Sequence, residues 1–108
     1  TGFSDNIPCF VAFCADMRGY YLPDEMYLPA IDVSLGAQNF FIAANTLNLS
    51  ATALSWALKD RNEELKLKQI LNIPDHYQII FNAVLGYAKK EYIQPHRKPL
   101  KNTIQIIK

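Results

Sequence analysis

The sequence predicts one α+β domain, residues 1–108, in which a small sheet packs against a long central helix and a second helix. Three observations lead to this prediction. The stretch Pro29–Ser50 has no interior proline, and its apolar residues recur at helical spacing. Residues 9–15 are continuously apolar, and residues 77–87 alternate in polarity, as strands do. With 108 residues, half of them hydrophobic, the chain is long enough to bury one core.

The first strand is expected at Cys9–Ala15, after a polar lead-in over residues 1–7. Its unbroken apolar composition is typical of a strand that is covered on both faces. Cys9 and Cys14 are five positions apart, so they lie on opposite faces of a strand and neither bond to each other nor share a metal. We expect them to be buried free thiols in a reducing compartment, the cytoplasm.

An irregular connection over residues 17–28 leads into the long helix, which carries two apolar faces instead of one. We expect the face with small residues to admit a second helix at close range, and the face with branched residues to pack on a sheet. Either this is the core helix of a monomer, or it is shared between two copies of the chain. The small-residue face consists of Ala30, Val33, Ala37, Phe40, Ala44 and Leu47, and the branched face of Ile31, Leu35, Ile42 and Leu49.

The second half of the chain begins with a short strand at residues 51–56. Asp60 precedes Glu63 by three positions, the spacing of a capping box, and marks the start of the second helix. Pro74 ends that helix near Asn72 because the residue before a proline disfavours helical geometry.

The most regular alternation predicts a strand at Tyr77–Tyr87, followed by a basic loop punctuated by prolines over residues 88–99 and by a last edge strand at Ile104–Ile107. The odd-numbered residues of the main strand are expected on one face, namely Tyr77, Ile79, Phe81, Ala83, Leu85 and Tyr87.

Charge and composition exclude several functions. The net charge is +1, and although bases dominate after Gly86, only Tyr92 is interleaved with the lysines, so nucleic-acid binding is not favoured. The basic tail is either a solvated surface or a phosphate-binding site. No apolar run approaches the ~20 residues of a membrane span. The chain begins at Thr1, so we expect a processed protein or a piece of a longer one.

No self-contained catalytic or metal site is apparent. The four glycines are scattered, which excludes a glycine-rich phosphate loop. His76 and His96 lack metal-ligand spacing with the cysteines, and Ser55 has no neighbouring histidine to activate it. Catalytic residues therefore cannot be named from spacing alone.

The order in which short motifs follow one another is more informative about function than composition or residue spacing. The run Asp32–Ala44 (DVSLGAQNFFIAA), followed by Leu47-Asn48-Leu49, resembles the central helix of the nitroreductase family, D-x-G-x-A-x-Q-N-h-h-h-A-A and then L-G-L, where h is apolar. Four further segments resemble family motifs in the same order: Leu54-Ser55-Trp56 (L-N-W), Leu71-Asn72-Ile73-Pro74 (L-G-I-P), Leu85-Gly86-Tyr87 (L-G-Y) and Arg97-Lys98-Pro99-Leu100 (R-K-P-L).

This resemblance implies an oxidoreductase that uses FMN, takes electrons from NADH or NADPH and reduces a small organic acceptor. Members are about twice as long as this chain and form homodimers, with FMN at the subunit interface. The resemblance places helix 30–49 at the dimer interface and the C-terminal segment across the partner. That arrangement would account for both apolar faces of the helix and for the detached last strand.

The resemblance also implies flavin-binding residues. Arg97 stands where the R-K-P-L arginine meets the FMN phosphate, and Lys98 adds charge. Ala53, Leu54 and Ser55 align with the segment along the flavin ring, where a backbone N–H or the Ser55 hydroxyl would donate to N5 or O4. The alternatives are a solvated basic loop and a plain serine at a strand end.

The chain departs from the family pattern in two respects. The N-terminal half of the family, with its R-S-x-R arginine cluster, is not in these residues, and Asn48 and Ser50 stand where glycines are common. We therefore expect this chain alone to bind FMN poorly or not at all. The alternative function is a truncated, non-catalytic member that serves as a dimerising structural or binding module.

Overall fold

The computed structural model describes residues 6–55, 60–91 and 93–108. Most of the predicted lead-in, the end of the predicted second strand at Trp56, and Tyr92 lie outside these residues. The α+β fold class is confirmed, with two helices and a small sheet in the described part. The elements are β1 (Cys9–Asp16), α1 (Leu28–Thr46), β2 (Ser50–Leu54), α2 (Arg61–Leu71) and β3 (Tyr77–Gly86), with short 3₁₀ turns at Met17–Gly19, Pro23–Glu25 and Leu100–Asn102.

The three strands form one antiparallel sheet in the order β1-β3-β2. Cys9 pairs with Leu85 at one end of the β1–β3 ladder, and Ser50 pairs with Gly86 at the start of the β2–β3 ladder. The strand with the most regular alternation, β3, is therefore the central one, and β1 and β2 are the edges.

A β-bulge in β3 divides its residues between the two faces of the sheet. Phe13 pairs with Phe81, but the next residue of β1, Cys14, pairs with Ile79, which leaves Ile80 as the additional residue. The prediction that residues 77, 79, 81, 83, 85 and 87 share one face is therefore wrong. Because the extra residue shifts the period-two pattern by one, Ile79 turns to the face opposite Phe81.

Each face of the sheet carries one helix. On one face, Phe13 stacks on Phe81 with ring centroids 4.8 Å apart and meets Phe40 of α1 edge-on at 5.2 Å. On the other face, Leu67 of α2 and Ile79 form the buried centre of a second apolar cluster. The residues packed around this second centre are Phe10, Ala12, Cys14 and Ile73.

Helix α1 faces the sheet with Ala37 and Ala44, whereas Ala30 of the same small-residue face is exposed. Ala37 and Ala44 are only 2% and 5% exposed, whereas Leu35 is 67% exposed and Ile42 54%. The expectation that the branched face packs on the sheet and the small-residue face meets another helix is therefore wrong. The phenylalanines already fill the space above the sheet, so the helix backbone approaches closely only through side chains as small as alanine.

Helix α1 ends at Thr46, before the predicted Ser50. The N–H of Leu49 donates to the carbonyl of Ala44 at 2.9 Å, and Asn48 adopts the left-handed conformation with φ 58°. This is a Schellman motif, in which asparagine takes the position that glycine usually occupies. The motif turns the chain directly into β2.

Asp60 is the N-cap of helix α2, so the predicted start of this helix is confirmed. The Asp60 carboxylate accepts a hydrogen bond from the backbone N–H of Asn62 at 2.8 Å, which satisfies one of the unpaired donors of the first turn. The other residue of the predicted capping box, Glu63, forms an ion pair with Lys66 at 2.9 Å.

Helix α2 ends in the same way as α1. Asn72 has φ 54°, and the N–H of Ile73 donates to the carbonyl of Lys68 at 2.9 Å. Pro74 follows, so the predicted end of this helix near Asn72 is confirmed.

The predicted edge strand at Ile104–Ile107 does not form. Ile106 and Ile107 are 79% and 87% exposed, and none of the described strands pairs with this segment. Alternation alone does not make a strand, because the segment also needs a sheet edge within reach.

The cysteines differ in their surroundings. Both are free, as predicted, but Cys9 is exposed at the tip of edge strand β1, so the expectation that both are buried is wrong for Cys9. Cys14 lies on the α2 face, where burial raises the pKa of its thiol.

Candidate functional site

The end of edge strand β2 forms an exposed ledge, which we define as Ala53, Leu54 and Ser55. Ala53 pairs with Ala83 of β3, so its side chain shares the α1 face of the sheet and is exposed. Leu54 is half-buried and anchors the strand end. Ser55 is exposed and follows the last strand residue. Because β2 is an edge strand, half of its backbone N–H and C=O groups point away from β3. A planar heterocycle with polar edges can bind to such groups.

The central strand adds a polar residue beside this ledge that sequence reasoning did not single out. Asn82 is fully buried and lies directly opposite Leu54 on one side and Ala12 on the other. The available signal was a single amide within an apolar run, between Phe81 and Ala83.

Arg97 lies apart from the ledge in chain order and local structure. It is exposed, within a segment that forms neither helix nor strand, and Lys98 beside it is also exposed. Arg97 and two residues of the ledge, Ala53 and Ser55, are thus exposed, in different segments of the chain.

A small cavity of about 170 Å³ lies at the opposite end of β2, where Ser50 pairs with Gly86. A Cβ on Gly86 would come within 2.8 Å of the Cγ atom of Pro8, so this position requires glycine. Thr52 and Tyr87 also line the cavity. The close approach of Pro8 therefore explains the glycine of the Leu85-Gly86-Tyr87 motif in this chain.

Two exposed polar contacts fix the connection between β1 and α1. The guanidinium of Arg18 donates to both carboxylate oxygens of Asp16, with Nη2 2.6 Å from Oδ2 and Nε 2.9 Å from Oδ1 and 3.2 Å from Oδ2, and lowers the pKa of that carboxyl to about 2. The hydroxyl of Tyr20 donates to Oδ2 of Asp32 at 2.6 Å, which raises the pKa of Tyr20. Asp32, the acid of the central-helix motif, therefore ties the connection to the first turns of α1.

Two classes of site receive no support from the described residues. Over residues 6–55, 60–91 and 93–108, no group of three histidine, cysteine or acidic side chains is arranged to hold a metal ion. In the same ranges, neither helix has the length and apolar character needed to cross a membrane.

A family model decides the relationship that the motifs indicated. The model of the nitroreductase family matches residues 2–87, which include the whole described sheet, both helices and the ledge. The chain belongs to the nitroreductase family. The matched region ends before Arg97, so it does not cover the R-K-P-L segment.

Individual nitroreductase relatives agree with the family match. An FMN reductase (NADPH) from Bacillus subtilis (strain 168) is 30% identical over 93 residues, covering 72% of this chain and 36% of the relative. The structure of B. megaterium NfrA1 superposes with a TM-score of 0.71 at 24% identity, covering 89% of this chain and 44% of NfrA1. A nitroreductase with bound FMN from Desulfitobacterium hafniense DCB-2 superposes with a TM-score of 0.70 at 19% identity, covering 94% of this chain and 52% of that nitroreductase.

These comparisons have two consequences. At these identities the solved structures establish the nitroreductase fold for this chain. The chain also spans about half the length of those structures and about a third of the length of the curated relative.

Proposed function

We propose that this chain contributes to an FMN-dependent oxidoreductase that takes electrons from NADH or NADPH and reduces a small organic acceptor in the cytoplasm. The observation that carries the proposal is the exposed ledge at the end of β2, in a chain with the nitroreductase fold. The names of two relatives, an FMN reductase and a nitroreductase with bound FMN, support FMN as the cofactor.

The ledge has the donors that the edge of a flavin ring requires. Ser55 offers a hydroxyl, and the outer edge of β2 offers backbone N–H groups. Ala53 is small, so a ring can approach the backbone closely. When bound, FMN supplies a ring that accepts hydride, and donors fixed beside it stabilise the negative charge of the reduced form. Leu54 keeps these donors in place through its contacts with the rest of the sheet.

Fewer groups are available to bind the FMN phosphate than to bind the flavin ring. The planar guanidinium of Arg97 is suited to bind two phosphate oxygens at once, and Lys98 adds a second positive charge. Both side chains are exposed, and exposed ion pairs are worth only about 0.2–1 kcal/mol each. The residues present therefore fit the ring better than the phosphate, and we expect weak binding by this chain alone.

We also propose that the enzyme is a homodimer and that the branched face of α1 meets the second copy. Ile31, Leu35 and Ile42 are exposed on this face, and a groove of about 410 Å³ runs beside Ile31 and Leu35. On the small-residue face, Ala37 and Ala44 are already covered by the chain's own sheet, whereas Ala30 is exposed and lines the same groove. The exposed C-terminal residues Ile106 and Ile107 are suited to cover apolar surface on the partner.

A second candidate function is a non-catalytic module that dimerises without flavin. The observation in its favour is the exposed apolar face of α1, with Ile31, Leu35 and Ile42, which a second copy can cover whether or not flavin binds. This candidate predicts self-association without flavin binding.

Titration of FMN into the purified protein, followed by flavin fluorescence, tests the proposal. An exposed ion pair is worth about 0.2–1 kcal/mol, so Arg97→Ala should weaken FMN binding about 1.5- to 5-fold. The affinity for riboflavin, which lacks the phosphate, should not change in this variant. Lys101→Ala, which removes a nearby charge outside the motif, is the matched control. If the two variants weaken FMN binding equally, Arg97 has no specific role in binding the phosphate. If the protein dimerises but does not bind FMN, the second candidate is favoured.

A further inference from the structure

We propose that Asn82 is a positioning residue of the flavin site, because its buried amide holds the end of β2 and thereby orients the donors of Ser55. The inference rests on the proposed function, in which Ser55 and the neighbouring backbone bind the flavin ring. It starts from a polar side chain in the apolar interior. Asn82 is 0% exposed in the central strand, between Phe81 and Ala83.

The side chain of Asn82 lies on the α2 face of the sheet. Asn82 pairs with Ala12, and directly opposite residues of an antiparallel pair share one face. Ala12 packs against the cluster of Leu67 and Ile79 beneath α2. The other sheet residues of this cluster are hydrophobic, and burial of an amide among such residues is unfavourable unless it is hydrogen-bonded. Apolar packing therefore does not account for an amide at this position.

Asn82 also occupies the place in the sheet where β2 ends. Leu54 pairs with Asn82, and this is the last pair of the β2–β3 ladder. The bulge at Ile80 lies two residues before Asn82 in β3, and bulges bend a strand and end its pairing. Strand β1 continues past the bulge to Asp16, whereas β2 does not. The chain therefore leaves the sheet at Ser55, directly after the residue opposite Asn82.

A strand end offers hydrogen-bonding groups to such an amide. Backbone N–H and C=O groups beyond the last pair of a ladder need other partners when they are buried. An asparagine amide has two donors and one acceptor, so it can bind both kinds of group. In a directly opposite pair the Cβ atoms are about 4.5–5.5 Å apart, which brings the amide of Asn82 close to the chain beside Leu54. The next described element, α2, packs on the same face as this amide.

The strand end must be held because hydrogen bonds to a flavin ring depend on distance and angle. A shift of Ser55 by about 1 Å would take its donors out of the range of about 2.5–3.2 Å between donor and acceptor. Leu54 is only half-buried, and apolar contacts are not directional, so they orient the next residue poorly. Asn82 is fully buried and therefore acts through Leu54 and Ser55 without touching the flavin.

The test compares Asn82→Leu, which removes the amide at similar volume, with Ile79→Val, which shortens a buried side chain on the same face of the same strand. Riboflavin is the probe because it has the ring and lacks the phosphate. Loss of one hydrogen bond to the ring should weaken riboflavin binding to Asn82→Leu about 2- to 12-fold, measured by flavin fluorescence. Ile79→Val should lower the free energy of unfolding and leave the riboflavin affinity within twofold.

A matched pair of variants isolates the hydrogen bond from the shape of the side chain. Asn82→Val and Asn82→Thr have the same shape, but only threonine has a hydroxyl that donates and accepts. Asn82→Thr should therefore bind riboflavin more tightly than Asn82→Val. This pair also serves if Asn82→Leu does not fold.

A further measurement needs no flavin. The backbone order parameter of Ser55, from ¹⁵N relaxation, should lie near 0.85 in the unsubstituted protein, as in rigid backbone, and fall below about 0.6 in Asn82→Leu. Ala51, which pairs with Leu85 inside the ladder, should keep its value in both proteins. An order parameter of Ser55 already below about 0.6 in the unsubstituted protein would overturn the inference.

The outcomes separate the inference from the proposed function. If Asn82→Leu changes only the free energy of unfolding, as Ile79→Val does, the inference is overturned and Asn82 has a structural role alone. Equal riboflavin affinities of Asn82→Val and Asn82→Thr would overturn it as well. If the order parameter of Ser55 falls as expected but the unsubstituted protein binds no riboflavin, the proposed function fails and the hold of Asn82 on the strand end stands. If riboflavin binds the unsubstituted protein and the Asn82 variants equally, the inference fails and the proposed function stands.

Discussion

The packing of α1 gives the sharpest test of this structure. Ala37 is 2% exposed between the helix and the sheet, whereas Leu35 is 67% exposed on the opposite side of the same helix. Ala37→Leu adds three carbons where there is no space. We therefore expect it to destabilise the folded chain, while Leu35→Ala leaves the free energy of unfolding nearly unchanged.

The magnitudes follow from the burial of these side chains. Overpacking a filled core costs about 1–3 kcal/mol, and about 1 kcal/mol corresponds to roughly 4–8 °C in Tm for a domain of this size. Complete burial of a leucine side chain is worth about 1.5–3 kcal/mol. If a second copy covers Leu35, about two-thirds of that value is lost in each subunit by Leu35→Ala, or roughly 2–4 kcal/mol per dimer. The dimer dissociation constant should then rise by about 30- to 1,000-fold.

Two measurements separate these effects. Urea unfolding gives the free energy of unfolding at a protein concentration where the chain is monomeric, and sedimentation equilibrium gives the dissociation constant. We expect Ala37→Leu to shift the first measurement and Leu35→Ala to shift the second. The opposite result, in which Ala37→Leu abolishes dimers without changing unfolding of the monomer, would refute the packing of the alanine face on the sheet.

Two further predictions concern local structure. Asn48→Ala should lower the free energy of unfolding by about 1 kcal/mol because alanine disfavours the left-handed conformation. Asn48→Gly should have a free energy of unfolding in urea equal to or above that of the unsubstituted protein. Equal values for the two variants would contradict the left-handed geometry. Because Arg18 lowers the pKa of Asp16 from 3.8 to about 2, this pair stabilises the folded state above about pH 4, and that stabilisation is lost as the pH falls through about 2. Arg18→Gln should return the midpoint of a carboxyl NMR titration toward 3.8, and a midpoint already at 3.8 in the unsubstituted protein would be incompatible with the ion pair.

Much of the fold was predictable because it depends on local chemistry. The apolar run of β1, the alternation of β3, the cap at Asp60 and the stop at Pro74 each act within a few residues. The motif order also predicted the family, since five short segments in the same order are specific together even though each is weak alone.

Most of the errors concern relations between elements, and one concerns a weak local signal. The bulge at Ile80 depends on how β3 pairs with β1, and no periodicity within β3 reveals it. The helix end at Asn48 was misplaced because asparagine is a less specific signal than glycine for a left-handed residue. The segment Ile104–Ile107 alternates as a strand does, yet it has no strand beside it in the described residues.

By itself, the sequence determined the approximate positions of the three strands and two helices and the family, because each depends on nearby residue types. Only the tertiary structure decided which face of α1 is covered and that the ledge is exposed at a sheet edge. The physical reason is that both faces of α1 are apolar, so hydrophobicity cannot choose between them. The choice depends on volume, because the phenylalanines of the sheet and helix leave space only for Ala37 and Ala44.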